Sequence, residues 1–232
     1  WLTKGLDQKS NKLFDQLLTD TFGNTIDCCI ISGPSFAKDL VNGENMCVSV
    51  ASNSNEYLDT IEKCFVTNMF EMQKTNDLIG VQISGIMKNV AAILSGILTS
   101  SNYNTTDILK MIEVTKNEIF EITKYIYSTR GLRVSDTDIR KTLSSPSCDG
   151  DLRLSCLSDV SRNRRFGLQL RQSNSLQKLI DDIGTVEGYG MTHVLYEMII
   201  SSGINVGPVL KTVHEILFCE EKLEDTEIIN YL

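Results

Sequence analysis

Lys88 is the only charged residue between Leu78 and Thr106. Burying an unpaired ammonium is expensive, so such a lysine has a partner or a task, or its stem snorkels from one helix face to water. The residues alone leave both readings open. All eight arginines fall between Arg130 and Arg171, and three of them stand in Ser161-Arg162-Asn163-Arg164-Arg165. A guanidinium fork matches a phosphate bidentately, whereas the plainer reading is a solvated helix face balanced by nearby acids. A third candidate is the turn Ser32-Gly33-Pro34-Ser35-Phe36-Ala37 after an apolar run. There Ser35 is placed to cap a helix and leave backbone amides for an anion, although the same residues suit an ordinary strand-to-helix turn. Metal chemistry is not expected: only His193 and His214 offer imidazoles, Glu197 follows His193 by one helical turn, and no third ligand stands at a recognisable spacing.

These residues need a scaffold. The first third alternates strand-like and helix-like segments: an apolar run from Cys28 to Ile31, a second from Cys47 to Ala51, and a helical pattern from Ser54 to Phe65. Between Asp77 and Asp107 the apolar density rises, and Leu78 to Thr106 reads as one long buried helix. Gln82, Ser84, Lys88, Asn89 and Ser95 interrupt a stretch that a bilayer would want apolar, so no membrane insertion is expected. Beyond it the pattern is helical throughout. Ile108, Ile112, Ile119, Ile122 and Ile126 share a face, Met191 to Ile199 forms another helix, and Gly207-Pro208 starts the one carrying Val209 to Leu217. The expected organisation is α/β over residues 1–77 and all-α over 78–232.

The chain has 232 residues, enough for one large domain or two small ones. Its net charge of −8 argues against nucleic acid or an anionic membrane as a partner and towards a small molecule or another protein. Seven cysteines, an odd number without CxxC spacing, fit a reducing compartment such as the cytoplasm. The opening Trp1-Leu2-Thr3-Lys4-Gly5 has neither an initiator Met nor the form of a signal peptide, and predicts a chain that begins inside a longer protein.

Five motifs occur in one order: Gly33-Pro34-Ser35-Phe36-Ala37-Lys38, Lys88-Asn89-Val90, Gly150-Asp151-Leu152, Ser161-Arg162-Asn163-Arg164-Arg165 and Val186-Glu187-Gly188. In that order the chain resembles the NAD(P)-dependent glycerol-3-phosphate dehydrogenases of the bacterial type, over essentially its whole length. The resemblance implies a partial Rossmann-like first domain for NAD or NADP and an all-α substrate-binding second domain. It also implies hydride exchange between NAD(P)H and dihydroxyacetone phosphate, giving sn-glycerol 3-phosphate for glycerophospholipid synthesis in a homodimer formed through the helical domain.

By the same resemblance Lys88 is the proton donor and acceptor at the substrate oxygen, a role suited to a lysine whose pKa desolvation can lower. Asp151 is its acidic partner and countercharge, and Lys4 polarises the reacting carbonyl and touches the cofactor. Ser161, Arg162 and Asn163 grip the phosphate end, Gly33 and Ser35 contact the substrate, and Ala37, Arg162 and Glu187 touch the cofactor. Arg164 and Arg165 lie inside the same motif and are assigned no contact, a bystander role in helix surface charge fitting them equally well.

Departures from the family pattern are specific. No GxGxxG occurs, so the glycine-rich turn that would hold the cofactor pyrophosphate is expected before Trp1, and this chain alone is expected to bind NAD(P) poorly. Ser155 replaces a usual threonine and Gln82 a usual glutamate. Ser101-Asn102-Tyr103-Asn104-Thr105-Thr106 stands where the family is glycine-rich, and Cys148-Asp149 where it is small and apolar; Asp149 is expected to face solvent. Two other readings compete: a non-catalytic relative that keeps the helical domain for assembly or ligand binding, and a two-domain dehydrogenase of hydroxy acids. The retained Lys88, Asp151, Arg162 and Asn163 weigh against the first, and the arginine cluster against the second.

Overall fold

The computed structural model describes residues 1–23, 26–35, 40–173 and 175–219. The chain forms two compact units. One takes Trp1–Asp7, Lys12–Gly85 and Ile119–Asp151; the other takes Gln8–Asn11, Ile86–Glu118 and the described residues from Leu152 onward.

The first unit is built on a three-stranded sheet of β1 (Cys29–Ser32), β2 (Met46–Ser52) and β3 (Phe70–Thr75), in that spatial order. β1 runs antiparallel to β2, with Cys29 opposite Ser52, whereas β2 and β3 are parallel, with Met46 opposite Phe70. Helix α2 (Asn55–Phe65) connects the parallel pair, so residues 46–75 form a βαβ unit. Ser54 starts α2 by accepting a hydrogen bond from Tyr57 N, and Glu56 and Lys63 match the helix dipole at its two ends.

Alternation along the strands divides the core between two sheet faces. Cys29, Val48, Val50 and Met72 pack with Leu58 of α2, while Ile30 and Ala51 pack with Leu78 and Val81. Sheet burial on both faces is the α/β character expected from the strand patterns. β3 was not foreseen: Phe70-Glu71-Met72-Gln73-Lys74-Thr75 buries only Met72, and its polar residues hide a strand at the sheet edge. Outside the sheet, α1 (Phe14–Phe22) is tied in through Asp15, which accepts from Gln82 Nε2 at 3.0 Å and pairs with Arg130 at 2.7 Å.

Helix α3 (Leu78–Ser100) donates its first residues to this unit and the rest to the other. It is long and apolar enough to cross a membrane, yet 94% of its most apolar stretch is buried inside the protein, as expected of a core helix. It ends earlier than Thr106 because Asn102 takes a left-handed conformation with φ of 64°, and Asn104 accepts from Thr106 N at 2.8 Å to start α4 (Thr105–Thr129). The isoleucines Ile108, Ile112, Ile119, Ile122 and Ile126 are all buried along α4.

After α4 come α5 (Asp136–Leu143), a π-helical turn (Pro146–Gly150), α6 (Asp151–Leu157), α7 (Arg162–Leu170), α8 (Leu176–Ile183), α9 (Glu187–Ser201) and α10 (Pro208–Phe218). No strand occurs after β3 among the described residues. Within the second unit α3 and α7 touch backbone to backbone. A β-carbon on Gly96 would fall 2.2 Å from Arg164 O, and one on Gly167 would fall 2.0 Å from Ile93 O. Glu118 supports α10 from below: its carboxylate accepts from Val209 N at 2.5 Å and Leu210 N at 3.2 Å, at the helix start announced by Gly207-Pro208.

Because neither backbone can yield locally, Gly167→Ala is expected to lower unfolding stability by about 1–3 kcal/mol in denaturant titration, as overpacking does. Glu118 carries a second prediction. Burial outweighs its two amide hydrogen bonds and pushes its carboxyl up from 4.5 to about 7. The folded chain therefore retains a proton that the unfolded chain has released between these values. This contribution is full below about pH 4.5 and is lost as pH rises through about 7, on the order of 3 kcal/mol. Denaturant unfolding between pH 4.5 and 8 is expected to show that decline in the wild type and a flatter profile in Glu118→Gln.

Candidate active site

Two constellations of polar side chains stand out, one in each unit. In the first, Lys4 Nζ donates to Asp151 Oδ2 at 2.6 Å, with the lysine side chain 18% exposed and the carboxylate 3%. The lysine stem runs past Gly85, where a β-carbon would lie 3.2 Å from Lys4 Cγ. Asp151 is the first residue of α6 and directly follows the π-turn. That turn is pinned to the sheet by Ser49 of β2, which donates to Ser145 Oγ and accepts from Ser147 N, each at 3.1 Å. The Gly33-Pro34 turn at the end of β1 reaches the same place: a β-carbon on Gly150 would meet Pro34 Cγ at 3.2 Å. Gly33 itself lies against Val48, and Ser35 is exposed, its hydroxyl donating to Gly33 O at 3.4 Å. The capping of a helix by Ser35, and the place of Ala37, fall outside the described residues.

The second constellation is a chain of amides. Asn163 Nδ2 donates to Asn89 Oδ1 at 2.9 Å, Asn89 Nδ2 donates to Glu187 Oε2 at 3.2 Å, and Gly188 N donates back to Asn163 Oδ1 at 2.9 Å. Both asparagines are buried, and the circuit ties α3, the start of α7 and the start of α9 together. Lys88, next to Asn89, is half-buried rather than sealed. Ser161 caps α7 by accepting from Arg164 N at 3.3 Å, which leaves Arg162 exposed at a helix N-terminus.

The arginine cluster divides in a way its spacing did not show. Arg164 is not surface charge: it is 9% exposed, its Nε donates to Cys156 O at 2.9 Å, and its guanidinium also bonds Thr99 and pairs with Asp159. It staples α7 to α3 and to the end of α6. Arg165 is exposed, as expected. Asp151 is held in an ion pair with Lys4. Asp149 is half-exposed in the π-turn. Asn89, unassigned from the sequence beyond its place beside Lys88, is the centre of the amide circuit. Its burial on an otherwise apolar helix was the available signal.

Comparison with known proteins identifies the family. The model described as NAD-dependent glycerol-3-phosphate dehydrogenase C-terminus matches residues 77–227, and the corresponding N-terminus model matches residues 1–58. The chain belongs to this family. Relatives from Actinobacillus pleuropneumoniae serotype 3 and Pasteurella multocida, each named glycerol-3-phosphate dehydrogenase (NAD(P)+), are 30% and 31% identical over 227 residues. These alignments take in 97% of this chain, which spans 64% of the length of each relative. Among solved structures, the glycerol-3-phosphate dehydrogenase of Coxiella burnetii superposes with a TM-score of 0.83 at 27% identity, covering 99% of this chain and 66% of that one. The yeast enzyme from Saccharomyces cerevisiae reaches a TM-score of 0.84 at 16% identity, over 99% of this chain and 66% of that one, and shows the fold alone.

The amide circuit predicts a measurable penalty. Asn89→Ala removes the acceptor of Asn163 and the donor of Glu187 while leaving buried polar groups behind, so denaturant unfolding is expected to show a loss of about 1–3 kcal/mol.

Proposed function

We propose that this chain carries the substrate-binding part, and part of the cofactor-binding part, of an NAD(P)-dependent glycerol-3-phosphate dehydrogenase. The reaction is the interconversion of dihydroxyacetone phosphate and sn-glycerol 3-phosphate, serving glycerophospholipid biosynthesis. The observation that carries the reading is the Lys4–Asp151 pair, in which two motif residues 147 positions apart meet at 2.6 Å around a nearly buried carboxylate. We further propose residues 1–77 as the nucleotide-binding portion and 78–232 as the substrate-binding portion, a cytoplasmic setting and a homodimer. The cytoplasmic setting is supported by the cysteines, none of which forms a disulfide among the described residues.

The residues fit the cofactor in part. Arg162 is exposed at the N-terminus of α7, and the Glu187 carboxylate is held by Asn89, so a charged grip of defined direction exists. No glycine-rich pyrophosphate turn is present in these 232 residues. When bound, NAD(P)H supplies the hydride that reduces the substrate carbonyl carbon. Lys88 gives a proton to the carbonyl oxygen and takes it back in the reverse direction. Lys4, its charge anchored by Asp151, polarises that carbonyl. Arg162, the hydroxyl proton of Ser161, the second amide proton of Asn163 and the N-terminal amides of α7 suit the phosphate dianion. Gly33 and Ser35 line the substrate loop.

The test uses the chain alone and the chain joined to the part of the Pasteurella multocida relative that it does not cover. Glycerol 3-phosphate is expected to protect the chain against thermal unfolding, with protection lost in Arg162→Ala. The joined protein is expected to oxidise NAD(P)H with dihydroxyacetone phosphate. Lys88→Ala is expected to lower kcat by about 10²–10⁴-fold, and Arg162→Ala mainly to raise KM. Neither protection nor turnover would leave the non-catalytic relative as the better reading.

A further inference from the structure

Sequence spacing left His193 and Glu197 without a third ligand; the fold supplies one from another helix. His193 and Glu197 stand one turn apart on α9, and His214 comes from α10, with their ligand atoms all within 4.8 Å of one another. We propose that His193, Glu197 and His214 bind a divalent transition-metal ion of the zinc class, clipping α9 to α10, with solvent completing the coordination.

The donor set is right for such an ion: two imidazoles and one carboxylate, with imidazole the ligand that zinc, nickel and copper share. His193 Nδ1 and His214 Nε2 lie 3.3 Å apart. Two nitrogens bound tetrahedrally at 2.0–2.1 Å are separated by about 3.3–3.4 Å, so the spacing already suits one ion. Without metal the two nitrogens share a proton in a long hydrogen bond; the ion takes the proton's place after a small turn of the exposed His193 ring. That proton moves to the remote nitrogen of its own ring, so two neutral imidazoles remain neutral.

His214 is the fixed member. It is 7% exposed and its ring lies parallel to Tyr196 with centroids 3.6 Å apart, while Phe218 flanks both histidines. Its Nδ1 is buried with no hydrogen-bond partner among the described residues, so Nε2 is the ring's polar outlet and points to the cluster. Glu197 adds the negative charge that a dication requires and lies on the exposed side, where exchange with solvent is open. None of these three residues belongs to the constellations around Asp151 and Asn89, so the clip is independent of the proposed dehydrogenase activity.

Zinc chloride alone is the probe. The chain, freed of metal with chelator and dialysed, is expected to bind one Zn²⁺ per molecule by calorimetry and to show a thermal midpoint that rises with Zn²⁺ concentration. Loss of a group that merely supports a metal ligand weakens affinity about 10–100-fold, so His193→Ala is expected to bring at least that loss and Glu197→Gln a loss of similar order. Glu197 is exposed, so Glu197→Gln is expected to keep the metal-free thermal midpoint. Co²⁺ gives a second readout: intense visible bands of a four-coordinate ion in the wild type, absent in His193→Ala. Absence of saturable binding, or binding unchanged in both variants, overturns the proposal and leaves the pair as a histidine–histidine hydrogen bond.

Discussion

Helices α3 and α7 meet where neither has a side chain, and the geometry of the helical unit follows from that contact. With Gly167 on Ile93 O and Gly96 on Arg164 O, the two backbones cannot slide without collision. One turn earlier on each helix, at the same spacing, stand Asn89 and Asn163, whose amides are thereby brought to 2.9 Å. The closeness that excludes a methyl group is what lets two short polar side chains satisfy each other in a buried place. Arg164 closes the other side by giving its donors to Cys156, Thr99 and Asp159. A cation in a cluster that resembles an anion grip thus becomes a structural staple, and Arg162 and Arg165 stay exposed.

The first unit obeys a different constraint, the need to satisfy a nearly buried carboxylate. Asp151 sits at the junction of a π-turn and a helix, held by hydroxyl contacts from β2, and Lys4, a cation it receives, lies 147 residues earlier in the chain. Removing one member of such a pair leaves the other uncompensated, which makes the pair demanding of its surroundings even when its net contribution is small. The sheet, the Gly33-Pro34 turn and Gly85 all lie where they fix it.

Much of this was legible in the residues. Alternation marked β1 and β2, the amphipathic pattern and Ser54 marked α2, and Gly207-Pro208 marked the start of α10. What escaped did so for definable reasons. β3 carries Glu71, Gln73 and Lys74 because one sheet edge is enough for its single buried Met72. The end of α3 was overextended because Asn102 and Asn104 break a helix by conformation and capping rather than by polarity. The burial of Arg164 and the Lys4–Asp151 pair depend on contacts between distant segments, on which local spacing is silent. Motif order, by contrast, identified the family directly, because it samples several such segments at once.

The amide circuit and the ion pair also bear on how the chain comes to fold. The bonds Asn163–Asn89, Asn89–Glu187 and Lys4–Asp151 close separations of 74, 98 and 147 residues. Each loop's closure entropy must be met before its contact gives anything back, so these bonds carry a larger closure cost than the local helices and the 46–75 crossover. During synthesis the strands and α3 leave the ribosome long before Asp151 or Glu187 exists, and Lys4 and Asn89 wait in water for partners. The amide circuit of this chain can therefore close only after Glu187 has been made.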